Sequence, residues 1–320
     1  MLQISVVIPV FNEEESLPEL VAWINRVLKK QGFTYEVLLV DDGSTDGSWE
    51  VIRRLAAKDT VVKGIGFNRN YGKSAALDVG FSVATGEVVV TMDADMQDSP
   101  DEIADLYRMV KEEGYHLVSG WKKERHDPVT KTVPSRFFNA VTRIISGIKL
   151  HDFNCGLKAY QSKVVKNIHI YGEMHRYIPL IAKWHGYGKI GEKVVSHQPR
   201  KYGTTKFGIE RFINGFLDLI SVSFVNRYRK NPMHFFGTLG TLSFLTGFII
   251  TFKLVYAKIQ GLRLGEPVRE ITDQPLFFLA LVALIVGVQL FLTGFLAEMM
   301  TSNTSRRTDY TISEKINLGD

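Results

Sequence analysis

The chain has 320 residues, enough for one large domain and an appendage. Its single cysteine, Cys155, excludes an intrachain disulfide and is compatible with a reducing compartment. A net charge of +5 suits phosphate ligands or an anionic membrane surface as well as an ordinary solvated surface; no nucleic-acid partner is expected. The 45% hydrophobic content hides a partition. Residues 1–230 are mixed and charged, whereas 231–300 are apolar around one polar loop. The histidines lack zinc-site spacing, and neither a Walker A loop nor a Gly-x-Gly-x-x-Gly turn is present.

Ile4–Pro9 reads as a buried strand, followed by a helix to about Lys30 with two possible capping boxes, Asn12 with Glu15 and Ser16 with Glu19. Tyr35–Val40, Val61–Phe67, Val88–Met92 and His116–Gly120 read as further strands. Helices are expected at Ser48–Ala57 and Ser74–Ala84, and another starts at Ser99-Pro100-Asp101-Glu102, with Ser as cap and Pro at the first position. This alternation implies a parallel-type sheet with helices on both faces. Beyond it the pattern predicts a helix near Pro134–Ser146, a strand near Leu157–Tyr160, a helix near Arg176–Trp184 and a strand near Glu192–His197.

Phe207–Tyr228 carries apolar residues at helical spacing and reads as an amphipathic helix, either in the membrane interface or facing a core. Phe235–Phe252 is free of charge and extends through Leu254–Ala257; Pro275–Ala297 is also uncharged. Both reach the roughly 20 residues a membrane-crossing helix needs. Basic residues on the flanks nearly balance, so orientation rests on two other points. The N-terminal Met-Leu-Gln-Ile-Ser lacks signal-peptide features, and the span number is even. The expected protein is integral to the cytoplasmic membrane, with the first domain and both termini cytoplasmic. Its segments are 1–206 as the first, α/β domain, 207–230 as juxtamembrane helix, 231–300 as anchor and 301–320 as tail.

Two acidic clusters follow β-branched runs: Asp41-Asp42 and Asp93-Ala94-Asp95. Parallel α/β sheets bind ligands at the carboxyl ends of their strands, and carboxylates there suit a nucleotide held through a divalent metal. The alternative reading makes Asp93 and Asp95 turn or cap residues before the Ser99 helix, and Glu13 a first-turn acid.

Pro9-Val10-Phe11-Asn12-Glu13-Glu14, Asp41-Asp42-Gly43-Ser44-Thr45-Asp46-Gly47 and Asp93-Ala94-Asp95-Met96-Gln97-Asp98 occur in this order, each after a strand. Together they resemble the family-2 glycosyltransferases with a GT-A nucleotide-sugar domain. Within that family the chain is similar to the polyprenyl-phosphate group, the bactoprenol glucosyltransferase and dolichol-phosphate mannose synthase type. The resemblance implies an α/β, Rossmann-like, mostly parallel sheet and an inverting transfer of one sugar from a nucleotide sugar, a uridine-diphosphate hexose by default, to polyprenyl phosphate. It implies Asp95 and Gln97 as ligands of Mg²⁺ or Mn²⁺, with Asp93 on the metal or the ribose side. Pro9, Phe11, Glu13, Asp42 and Ala94 take nucleotide-side positions. Lys122 stands where the family often has arginine. Arg136, Arg176, Arg200 and Lys206 are candidate phosphate contacts, with Arg200–Lys206 resembling a mobile loop; each arginine alone is more readily a surface salt-bridge partner, and the set before a membrane anchor favours phosphate contact. Asp152 matches an acid near the acceptor, as base or as positioning group. Lys73 is either a donor contact or a solvated helix-start lysine, and Cys155 a small packing residue. A homo-oligomer is possible through the spans, with Gly237, Gly240 and Gly247 as a packing hint. A processive polysaccharide synthase fits less well, since no Gln-x-x-Arg-Trp motif is present. A non-catalytic sugar-nucleotide-binding membrane partner is the third reading.

Overall fold

The computed structural model describes residues 2–123, 139–199, 201, 224, 228, 232–265, 267–303 and 312–317. They fall into two compact units, Met1–Ile220 with Asp309–Asp320, and Ser221–Thr308. Arg136, Arg200, Lys206 and most of the expected amphipathic helix lie outside the described residues.

The first unit is built on one sheet. Its strands are β1 (Ile4–Val10), β2 (Tyr35–Asp41), β3 (Val62–Phe67), β4 (Val88–Thr91), β5 (Leu117–Trp121), β6 (Lys158–Gln161), β7 (Ile190–Val194) and β8 (Ile312–Ile316), in spatial order β7-β5-β6-β4-β1-β2-β3-β8. The central strands are continuous apolar runs because both faces are covered; every residue of β2 is buried. β1 pairs in parallel with β2 and β4, and β2 with β3. Intervening helices are α1 (Leu17–Lys30), α2 (Ser48–Lys58), α3 (Lys73–Val83) and α4 (Ile103–Lys111). In α1, buried Leu17, Leu20, Val21, Ile24, Val27 and Leu28 form one stripe at helical spacing, and Lys29 and Lys30 close the last turn.

The sheet departs from a purely parallel arrangement at β6, which runs antiparallel to β4 and to β5. This reversal matters for the site. β6 begins beside the carboxyl ends of both neighbours, with Lys158 opposite Thr91 and Ser119, so the segment leading into it is delivered to the ligand end of the sheet.

Three sequence expectations are corrected. Neither capping box forms at α1: Ser16 is the cap residue but makes no capping bond, and its hydroxyl donates instead to Glu13 Oε2 at 2.9 Å. The last central-unit strand is Ile190–Val194 rather than Glu192–His197, because its pairing with β5 starts at Leu117↔Ile190. The C-terminal segment is more than a tail: β8 adds an antiparallel edge strand to β3. Ile316 packs on the core beside Gly64, and the Asn317 amide donates to the Ala56 and Val62 carbonyls at 3.1 and 2.9 Å.

The second unit is a helical hairpin, α5 (Pro232–Leu264) and α6 (Pro275–Asn303), both long and apolar enough to cross a membrane. Leu, Ile and Phe side chains such as Leu242, Phe248, Ile249, Phe278 and Leu296 point outward along both helices, as lipid-facing surfaces do. The glycines serve the hairpin itself. A Cβ on Gly240 would lie 2.7 Å from the Gly287 carbonyl, and one on Gly247 2.7 Å from that of Ala280, so these positions let the two backbones touch.

Candidate active site

The loops after β1, β2 and β3 are laced together before any ligand is considered. Asn12, at φ 57°, donates its N–H to Ser44 Oγ at 2.9 Å and accepts from the Thr45 N–H at 2.8 Å. The Glu13 N–H donates to Ser48 Oγ at 2.8 Å, while Glu14 accepts from the Gly47 N–H at 2.8 Å. Phe11 stands outward, 37% exposed, and Pro9 is half-buried.

The two aspartates after β2 anchor backbone. Asp41 accepts from the Ser44 hydroxyl and N–H. Asp42 accepts from the Tyr71 N–H at 2.7 Å and the Gly72 N–H at 2.9 Å. Burial raises both carboxyls above their ordinary value, against the pull of those donors. Asp42, expected on the nucleotide side, thus sets the position of the segment that enters α3. Gly72 there adopts φ 94°, a backbone open to glycine.

The turn after β4 holds the acidic cluster. Asp93 and Asp95 are half-buried and Ala94 is buried. The Asp95 carboxylate accepts from the Gln97 N–H at 3.2 Å, and the Gln97 side-chain amide lies 3.4 Å from the Gln198 carbonyl. Met96, at φ 58°, makes the bend between them. Asp93 forms an ion pair with Lys73, the first residue of α3. Burial works against a charge on Asp93, but Lys73 outweighs it with help from Lys122 and Lys158, and the carboxyl is held at about 2.

Around this turn lies a buried charged layer the sequence reading did not assemble. Asp98 is fully buried and ion-paired with Lys122 at 2.8 Å. Lys158 is buried with its ammonium on the Cys155 carbonyl, and burial lowers its pKa. Thr91 donates to the Gly156 carbonyl at 2.9 Å. Asp152 is buried; its carboxylate accepts from the Asn154 N–H at 3.0 Å, its N–H donates to Glu192 at 3.1 Å, and its carbonyl accepts from Ser119. The repeated acid in Asp93-Ala94-Asp95-Met96-Gln97-Asp98 was the available signal for Asp98; nothing in the sequence paired it with Lys122.

Other expected residues have local partners; the turn carrying Arg176 is tied to the start of α3 by the His175 N–H, which donates to Ser74 Oγ at 3.0 Å. Arg176, in a 3-10 turn at Met174–Tyr177, is ion-paired with Glu173 at 3.0 Å. Glu13 accepts from the Ser16 hydroxyl.

Among the described residues no group of three or more His, Cys, Asp or Glu side chains is gathered as a metal centre. The expected donors are two carboxylates and an amide, hard oxygen ligands of the kind Mg²⁺ or Mn²⁺ takes. A cationic ammonium already rests on the first of them, so the residues at this turn fit a cation.

The sequence pattern described as glycosyl transferase family 2 matches residues 5–169. A dodecaprenyl-phosphate galacturonate synthase of Rhizobium johnstonii is 35% identical over 302 residues, 93% of this chain and 88% of the relative. An undecaprenyl-phosphate 4-deoxy-4-formamido-L-arabinose transferase of Aeromonas hydrophila subsp. hydrophila is 33% identical over 296 residues, 92% of this chain and 87% of the relative. Among solved structures, glucosyl-3-phosphoglycerate synthase from Mycobacterium tuberculosis with Mn²⁺ and uridine-diphosphate-glucose has a TM-score of 0.52 at 22% identity, over 70% of this chain and 79% of that one, a likeness of fold. The chain belongs to glycosyl transferase family 2, as a GT-A-fold glycosyltransferase whose relatives are named for sugar transfer to polyprenyl phosphates.

Proposed function

We propose that this enzyme transfers one sugar from a nucleotide-sugar donor, of uridine-diphosphate-hexose type, to a polyprenyl phosphate at the cytoplasmic face of a membrane, with inversion at the anomeric carbon. The observation that carries this reading is the union, in one chain, of a carboxylate turn at the ligand end of a GT-A sheet with an apolar helical hairpin. An acceptor that cannot leave the bilayer requires an enzyme held there. The relatives' names support the acceptor, and their alignments extend over nine-tenths of this chain.

Asp95, Gln97 and Asp93 hold a divalent metal in this reading, Mg²⁺ or Mn²⁺. The metal supplies neutralisation of the charge that builds on the departing diphosphate. The chain's own residues do the rest. Asp42 fixes the segment carrying Lys73, and the loops bearing Pro9, Phe11 and Glu13 form the nucleotide side with Ala94. Lys122, locked to Asp98, contributes positive potential from beneath the turn rather than a direct phosphate contact. Arg136, Arg176, Arg200 and Lys206 are assigned to the phosphates, the arginines through their guanidinium forks and Lys206 as a point charge. A lipid phosphate is already ionised near neutral pH, so Asp152 orients the acceptor side rather than acting as a strong base. Antiparallel pairing of β8 with β3 supports one membrane face for the catalytic unit and the C-terminal segment, as two spans require.

The test is a donor panel. Membranes containing the protein, polyprenyl phosphate and Mg²⁺ or Mn²⁺ receive labelled hexose, uronate and aminopentose nucleotides, beside an Asp95→Ala control. Label in a lipid-soluble product with one donor, absent in the control, is the expected result. Absence of lipid label with every donor would overturn the acceptor assignment.

A further inference from the structure

Lys73 and Asp93 come from different elements, α3 and the turn after β4, and meet as an ion pair in which each side chain is about one-third exposed: 31% and 33%. The carboxylate is backed by bare main chain. A Cβ on Gly156 would lie 2.6 Å from Asp93 Cγ and 2.7 Å from both of its oxygens. Asp93 therefore lies between Gly156 and the Lys73 ammonium. On the other side, Asp42 holds the Tyr71 and Gly72 N–H groups, which fixes where α3 and its first residue begin.

We propose that Lys73 is the resident counter-ion of Asp93: its ammonium rests on a carboxylate that would help hold the divalent metal, and the metal would enter by displacing it. This rests on the metal-dependent reading above. A dication and an ammonium cannot share one carboxylate without strong repulsion. The lysine has a four-carbon stem and a solvent-facing side, so it can swing out by rotation about its own bonds. Once displaced it needs a new anion, and the diphosphate of the donor is the one that arrives. Metal binding and nucleotide binding are then linked, each raising the affinity of the other. Lys73 acts as a positioning and gating residue; the metal-free chain keeps its carboxylate cluster neutralised until a donor comes.

The experiment measures Mn²⁺ binding to the full chain in detergent, by loss of the free-ion electron paramagnetic resonance signal, with and without uridine diphosphate. Without nucleotide, Lys73→Met and Lys73→Gln are expected to bind Mn²⁺ about tenfold more tightly than the wild type, the effect of removing one like charge from a partly exposed site. Lys73→Arg is expected to stay near the wild type. Uridine diphosphate should tighten Mn²⁺ binding strongly in the wild type and much less in Lys73→Met. Gly156→Ala in the Lys73→Met background should loosen Mn²⁺ again by displacing Asp93. Unchanged or weaker Mn²⁺ binding in both uncharged variants would overturn the counter-ion role while leaving the metal-dependent reading intact. Failure of every form to bind Mn²⁺, even with uridine diphosphate, would overturn both.

Discussion

Asp98 and Lys122 form a buried ion pair, 2.8 Å between Oδ1 and Nζ, that joins the acidic turn after β4 to the end of β5. Burial opposes the charge on Lys122, but Asp98 outweighs it and holds the ammonium above its ordinary value. The pair fixes the turn that carries Asp93, Asp95 and Gln97 from below. Removing one partner strands the other charge in the interior, which typically costs about 3–5 kcal/mol. Asp98→Ala and Lys122→Ala should each lower the thermal midpoint of the catalytic unit sharply. The double substitution Asp98→Ala with Lys122→Ala should cost clearly less than the sum of the two. Additive losses in thermal unfolding would contradict the pairing.

Asp42 is expected to act through backbone. Asp42→Ala leaves the Tyr71 and Gly72 N–H groups without their carboxylate, a loss of about 2 kcal/mol for bonds to a charged acceptor. It should raise the donor KM together with the drop in stability, because Lys73 begins the next helix. Asp42→Asn, which keeps one acceptor oxygen, should retain more of both. A raised KM in Asp42→Ala at unchanged stability would instead make Asp42 a direct nucleotide contact.

These residues mark what the sequence does and does not carry. The strands of the central sheet were legible because β1, β2 and β4 are buried runs, and β2 and β4 lead into Asp41-Asp42 and Asp93-Ala94-Asp95. The helix α1 was legible from its Leu17–Leu28 stripe, but its cap was not. Ser16 has helical backbone angles, φ −84° and ψ −33°, instead of the extended ones of a capping residue, and its hydroxyl donates to Glu13. The direction of β6 was hidden, since Leu157–Tyr160 reads the same in a parallel or an antiparallel ladder. β8 was hidden because Ile-Ser-Glu-Lys-Ile has two apolar residues and looks like a solvated tail. The pairs Lys73–Asp93 and Lys122–Asp98 depend on which strands lie side by side, which local patterns do not encode.

Cys155 is buried, and its thiol is pushed up to about 12, by burial first and by Asp98 next. Thiolate is the reactive form. The folded protein should therefore resist maleimide or disulfide reagents at pH 8, and one equivalent should react on denaturation. Rapid labelling of native protein would contradict this burial.

His116 offers a pH dependence with a defined sign. Burial, together with Lys163 and Lys189, holds its pKa below the ordinary 6.5, and its Nδ1 accepts the Lys189 N–H at 3.2 Å. The unfolded chain binds the proton more readily than the folded one. The contribution is complete above pH 6.5 and is lost as pH falls from there through the lower folded value. His116→Gln should flatten that part of the stability profile, measured by thermal unfolding at stepped pH. An unaltered acid limb would exclude His116 as its source.

The central claim is single-sugar transfer to a lipid phosphate, and mass spectrometry of the lipid product tests it most directly. Purified full-length protein, a polyprenyl phosphate of defined length, Mn²⁺ and the donor identified by the panel should yield one product, heavier than the acceptor by one sugar residue. That product should release the sugar under mild acid and should be absent with Asp95→Ala. A ladder of several sugars, or donor consumption with the lipid mass unchanged, would contradict the account.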